Sequence, residues 1–163
     1  MFAAPLSFMS CRKEPSMNAQ NSLPTAARWL GYAGALPFVA GALASLARDP
    51  NWAPFGHALL VHYGAIILSF MGGVHWGAAM LRGDEGPGPL GRSVVPSLVA
   101  LLAALIGGAP GLAILAAGFA GLLVYDERET RAGRLPPWYP FLRRPLSAIV
   151  VACLLAGAAA WGL

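Results

Sequence analysis

Side chains able to do chemistry are few along this chain, and most lie in one stretch, His62 to Leu81 (HYGAIILSFMGGVHWGAAML). It places two of the three histidines, His62 and His75, in an otherwise apolar run together with Ser69 and Trp76. An imidazole in that setting can ligate haem or a metal, or pass a proton near neutral pH. The plainer reading is a neutral ring hydrogen-bonded to a carbonyl or hydroxyl of a neighbouring helix. His62 and His75 cannot share one metal, because the helix between them is about 20 Å long. On a helix, His62, Ala65, Ser69, Gly72, Gly73 and Trp76 share one broad face with His75 at its edge, so this face is expected to meet the other helices. His57 is read as a solvated residue at the outer end.

Two further positions are candidates. Pro37 removes an amide donor inside an apolar segment and clashes with the carbonyl of Ala33, so a kink is expected there. Carbonyls freed at such kinks can line an ion or substrate site, although a proline kink also serves packing alone. Asp126 begins a charged loop, Asp126 to Arg144, where a carboxylate at the membrane boundary can hold a cation or take a proton. The competing reading is a solvated, mutually paired charge cluster, with Glu127 and Arg131 at i, i+4 spacing. The chain has no intramembrane acid pair, no serine or cysteine nucleophile beside a base, and no metal-ligand cluster; Cys11 and Cys153 are its only cysteines. We therefore expect no enzyme, no catalytic residues, no metal and no cofactor.

The elements that position these residues follow from composition. Of 163 residues, 57% are hydrophobic and 11% charged, and the mean hydropathy is +0.61. A soluble domain carries roughly 25% charged residues, and disordered chains are polar. The composition is that of an integral membrane protein. Trp29 to Ala47, His57 to Leu81, Ser93 to Tyr125 and Leu146 to Leu163 contain no Asp, Glu, Lys or Arg. As one helix the third window would reach about 50 Å, too long for a hydrocarbon core of roughly 30 Å. Gly107-Gly108-Ala109-Pro110-Gly111 interrupts it, which predicts a tight turn between two helices, about Ser93 to Gly107 and Pro110 to Tyr125. The expected fold is all-α, an integral membrane bundle of five transmembrane segments with the N-terminus in and the C-terminus out. In that arrangement ten basic residues fall inside and only Arg48 outside, the bias expected of cytoplasmic loops. A re-entrant hairpin over 93–125 would preserve the same parity.

Trp29, Trp52, Tyr125, Trp138, Tyr139 and Trp161 sit at or just beyond the segment ends, where interfacial anchors belong. The stretch Leu135 to Pro145 reads as an extended interfacial strap. Small residues four apart predict close helix packing. Gly73 and Gly77 form a G-x-x-x-G beside Gly72, and Ala113, Ala117 and Gly121 repeat the device; Gly72, Gly73, Gly77 and Gly121 are taken as helix-packing positions. Residues 1–24 are expected to be a flexible tail with Met17 as an alternative start, and residues 25–163 the five-helix domain. The scattered basic residues exclude nucleic acid as a partner. The expected partners are the lipid bilayer, a second copy of the chain, or a larger membrane complex.

Leu30 to Phe38 (LGYAGALPF), Leu68 to Gly77 (LSFMGGVHWG), Val95 to Leu98 (VPSL), Asp126, and Trp138 to Ser147 (WYPFLRRPLS) resemble the domain-of-unknown-function family 3429. The resemblance covers Leu23 to the C-terminus and brings no established activity, substrate or cofactor with it. It implies a bacterial or mitochondrial inner membrane, of which the bacterial one is expected here. The leading expectation is a non-enzymatic structural or assembly component with tightly packed helix faces. The alternative is a small transporter or proton-coupled channel using His75, Ser69, the Pro37 kink and Asp126.

Overall fold

The computed structural model describes residues 23–47, 49–84 and 86–161. Expectations for residues 1–22, including the Met17 start, lie outside the described residues. Five helices follow one another: α1 (Thr25–Leu46), α2 (Trp52–Leu81), α3 (Pro87–Ile106), α4 (Gly108–Arg131) and α5 (Tyr139–Ala160). No strand occurs among the described residues. Each helix is long and apolar enough to cross a membrane, as required where the backbone has only itself to hydrogen-bond.

Local chemistry sets the helix ends. The Asp49 carboxylate accepts hydrogen bonds from the backbone N–H of Asn51 (2.8 Å) and Trp52 (3.2 Å) at the start of α2, a favourable place for a negative charge. Pro87 opens α3 at a position where its missing N–H costs nothing. Between α3 and α4 a single residue suffices, because Gly107 and Gly108 both adopt positive φ, 63° and 57°, which glycine reaches without strain. The chain then turns back so closely that a Cβ on Gly111 would lie 2.5 Å from the Ala103 carbonyl oxygen. At 20 and 24 residues, α3 and α4 are about 30 and 36 Å long, each long enough for a full crossing.

Charge-free windows mark the hydrocarbon level and not the helix ends. α2 begins at Trp52 instead of His57, α3 at Pro87 instead of Ser93, and α4 runs on to Arg131 instead of stopping at Tyr125. The largest correction concerns α5, which starts at Tyr139 rather than Leu146, so the second half of the expected strap is helical. Arginine and glutamate are good helix formers, and a helix that leaves the apolar layer keeps its backbone bonds while such side chains find water or partners.

Antiparallel connections bring the start of α1, the end of α2, the start of α3, the end of α4 and the start of α5 to one end of the bundle. Arg28, Arg82, Arg92, Arg128, Arg131, Arg134, Arg143 and Arg144 therefore share that end. α2 packs against all four other helices. The core around it is built from Phe38, Leu60, Leu68, Leu115, Phe119 and Leu154, each at most 1% exposed. Large apolar side chains such as Leu36, Ile66, Phe70, Leu101 and Leu105 point outward, as lipid-facing residues do.

Candidate functional site

Near the arginine-rich end, three helices contribute one polar side chain each to a dry site. His75 comes from the last two turns of α2, Asp126 from α4, and Arg143 from the second turn of α5. Asp126 is 1% exposed, and both of its carboxylate oxygens are used. Oδ1 lies 2.7 Å from Nε2 of His75, and Oδ2 accepts a 2.7 Å hydrogen bond from Nε of Arg143. Facing a carboxylate, the imidazole presents Nε2 as the donor. The edge of Tyr125 packs on the His75 ring at a centroid distance of 4.8 Å. Charges at this depth are tolerated only when paired, and here the pairing ties α2, α4 and α5 together.

Around this triad lies a more exposed belt. Glu129, itself buried, receives two hydrogen bonds from Arg134, at 2.6 and 2.7 Å, and that contact holds the Arg134 guanidinium above its ordinary pKa. Arg82 donates to the Arg134 carbonyl, which fastens the end of α2 to the loop after α4. Glu127 pairs with Arg131 at 3.3 Å and with Arg144 at 2.8 Å. This outer pair matches the expected solvated cluster, whereas Asp126 does not: it points into the bundle.

The candidates from sequence separate sharply. His75 and Asp126 meet. His62 does not join them; it is exposed and its Nδ1 bonds only the Ala58 carbonyl one turn back. Trp76 also turns outward, 41% exposed, with its indole N–H on the Met80 sulfur. The expected face from His62 to Trp76 is thus rotated, and the line through Gly64, Leu68, Gly72, His75 and Ala79 is the buried one. Ser69 is half-buried. Pro37 sits within an unbroken α1, and one turn before it the Gly34 carbonyl accepts a hydrogen bond from the Tyr63 hydroxyl at 3.0 Å.

His57 requires the opposite correction: it is buried, its Nε2 lies 3.0 Å from the Gly157 carbonyl oxygen, and its ring packs on Trp161 at 4.5 Å. Among the expected packing glycines, Gly72 faces α3 so closely that a Cβ would come within 2.5 Å of the Ser93 carbonyl oxygen. A Cβ on Gly73, Gly77 or Gly121 would meet nothing within 4 Å. Among the described residues those three are not close-packing positions, because their faces look outward. The close approaches belong instead to Gly41, Gly56, Gly111 and Gly157. Among the described residues, no group of three or more His, Cys, Asp or Glu could hold a metal.

Arg143 lies in the stretch that reads from sequence as an extended strap, and the structure makes it helical. The spacing Arg143, Ser147, Val150, Leu154, Gly157 nevertheless carries the helical stripe of α5 backward into the charged stretch, and that stripe was the available signal. The fold and the triad define a small multi-pass helical membrane protein with a buried ionic cluster at one end. The chain belongs to the family described as Protein of unknown function (DUF3429), whose model matches residues 23–159. It is 35% identical to Transmembrane protein 69 of Xenopus tropicalis over 146 residues, which cover 85% of this chain and 56% of that protein. The chain thus spans little more than half the length of that relative. No solved structure matches the chain.

Proposed function

We propose that the chain is a non-enzymatic membrane component that docks through outward small-residue faces of α2 and α4 on a second copy or on a larger membrane complex. The observation that carries this reading is the empty space over Gly73, Gly77 and Gly121. Ala113 and Ala117, which continue the α4 ladder, are exposed too. In lipid no hydrophobic effect drives helices together, and small residues serve to let backbones approach; here no helix among the described residues uses them. The arginine-rich end belongs in the cytoplasm by its charge, with the N-terminus in and the C-terminus out, and the membrane is the bacterial inner membrane. Gly73→Leu and Gly121→Leu should dissociate the complex isolated in mild detergent without altering the folded monomer, because each new side chain has room. Unchanged assembly in both variants would overturn the reading.

A second reading is favoured by the buried contact between His75 and Asp126: a small proton-coupled transporter in which that pair, with Ser69 and the Pro37 segment, passes a proton. In proteoliposomes His75→Gln would then abolish a pH-gradient-driven flux while the bundle stays folded. Equal flux in the variant and in the unsubstituted chain sinks this reading.

A further inference from the structure

α3 and α4 leave a crevice of about 530 Å3 between them, in the half of the bundle nearest the arginines. Gly118 stands against Val99, where a Cβ would lie 3.1 Å from the valine side chain, and this contact sets the register of the two helices. About 10 Å from it toward the arginine-rich end, Arg92 on α3 and Tyr125 on α4 stand level with each other and line the crevice. From Tyr125 down to Ile114, which lines its deep end on α4, the crevice is about 16 Å long. That is half of a hydrocarbon core of roughly 30 Å, the depth of one leaflet.

The lining describes the occupant. Apart from Arg92 and Tyr125 it is wholly apolar. It opens sideways to lipid, since Val95 is 52% exposed and Ala117 and Gly121 are exposed too. The occupant therefore enters from the bilayer and is apolar over the depth of a leaflet. Arg92 sets its head. That residue is exposed, so its guanidinium is reachable, and it forms an ion pair with no described residue. The α4 acids of the same end are already engaged: Asp126 holds Arg143, Glu127 holds Arg131 and Arg144, and Glu129 holds Arg134. The counter-charge for Arg92 has to come from outside the chain. A basic side chain at headgroup level attracts anionic lipid, and its methylene stem can lie along an apolar wall. A second copy suits the crevice less. A two-fold axis along the membrane normal brings equal depths together, which would set Arg92 against the arginines of the other copy.

We propose that this crevice seats one acyl chain of an anionic phospholipid, with the lipid phosphate on Arg92. The inference does not rest on the docking reading. Gly121 lines the crevice as well, so the test turns on Arg92 and Val95, which that reading does not use. The full chain in mild detergent is titrated with palmitoyl-oleoyl phosphatidylglycerol or with phosphatidylcholine of the same chains, and bound lipid is counted by native mass spectrometry. One phosphatidylglycerol should be retained about fivefold more tightly than phosphatidylcholine. Arg92→Gln should remove that preference, the worth of one basic side chain at an anionic surface, and Arg92→Lys should keep most of it. Arg28→Gln, at an exposed arginine of the same end on α1, should leave it unchanged. Val95→Trp should weaken retention of both lipids by filling the crevice. Thermal unfolding of each variant reports whether the bundle is intact. Equal retention of the two lipids by the unsubstituted chain overturns the anionic head, and displacement by palmitate at equal concentration overturns the phospholipid. An equal loss in Arg92→Gln and Arg28→Gln, or retention unchanged by Val95→Trp in an intact bundle, overturns the crevice as the site. Phosphatidylglycerol held by the monomer but absent from the dimer gives the crevice to a second copy and overturns the lipid.

Discussion

At the arginine-rich end α2, α4 and α5 meet through a buried carboxylate with a partner on each oxygen, whereas at the opposite end the helices meet backbone to backbone. There a Cβ on Gly56 would lie 2.5 Å from the Ser45 nitrogen and 2.6 Å from the Gly41 carbonyl oxygen. The polar link across that end runs from His57 to an uncharged acceptor, the Gly157 carbonyl. One end is specified by charge and the other by shape. The two fail differently: an ion cluster collapses when one member is removed, because the remainder is left buried and unpaired, while a close approach fails when anything is added.

Breaking the charged end should give the largest effect. Asp126→Ala strands Arg143, which is 7% exposed, and is expected to lower stability by about 3–5 kcal/mol. Unfolding by sodium dodecyl sulfate in mixed micelles measures it. Replacing all three members, Asp126→Leu with Arg143→Leu and His75→Leu, should restore much of the loss, since a buried ionic triad exchanged for apolar side chains is often neutral or better. A cost under about 1 kcal/mol for the single variant would mean that the pair behaves like an exposed one, and the contrast between the ends would go.

The shape-specified end predicts a smaller loss from a smaller change. Gly56→Ala introduces the better helix former, yet the new methyl must displace α1 backbone atoms. The expected cost is about 1–3 kcal/mol, the range for overpacking. Gly73→Ala, on the same helix with open space around it, should change folding by no more than about 0.5 kcal/mol. Equal effects at Gly56 and Gly73 in the same micelle titration would show that backbone proximity is not what holds this end.

The five helices were legible because charge is scarce and Gly107-Gly108 divides the longest window. The triad was only half legible. His75 stood out as an ionisable group among apolar residues, but pairing it with Asp126 required knowing that α4 continues past Tyr125 and turns the carboxylate inward. Arg143 was hidden in the stretch that reads from sequence as an extended strap. The glycines show the same limit from the other side. Spacing identifies Gly73 and Gly77 as a pair, but whether a small residue faces a neighbouring backbone or lipid depends on the rotation of the whole helix. On α2 that rotation is set by the buried line from Gly64 to Ala79.

The finest distinction lies at His57. Its ring does two things at once, donating to the Gly157 carbonyl and packing on Trp161. His57→Phe keeps an aromatic edge against the indole and removes only the hydrogen bond, so it should cost about 0.6 kcal/mol, the average measured for such bonds between membrane helices. His57→Ala removes both and should cost more. The difference between the two variants, read in the same micelle titration, isolates packing from polarity at this end. Packing should account for most of it, because the helices here already approach through Gly157, where a Cβ would collide with Leu60. If His57→Phe instead loses as much as Asp126→Ala, a hydrogen bond to an uncharged acceptor is acting as an anchor equal to the ionic one, and charge is no longer what sets the two ends apart.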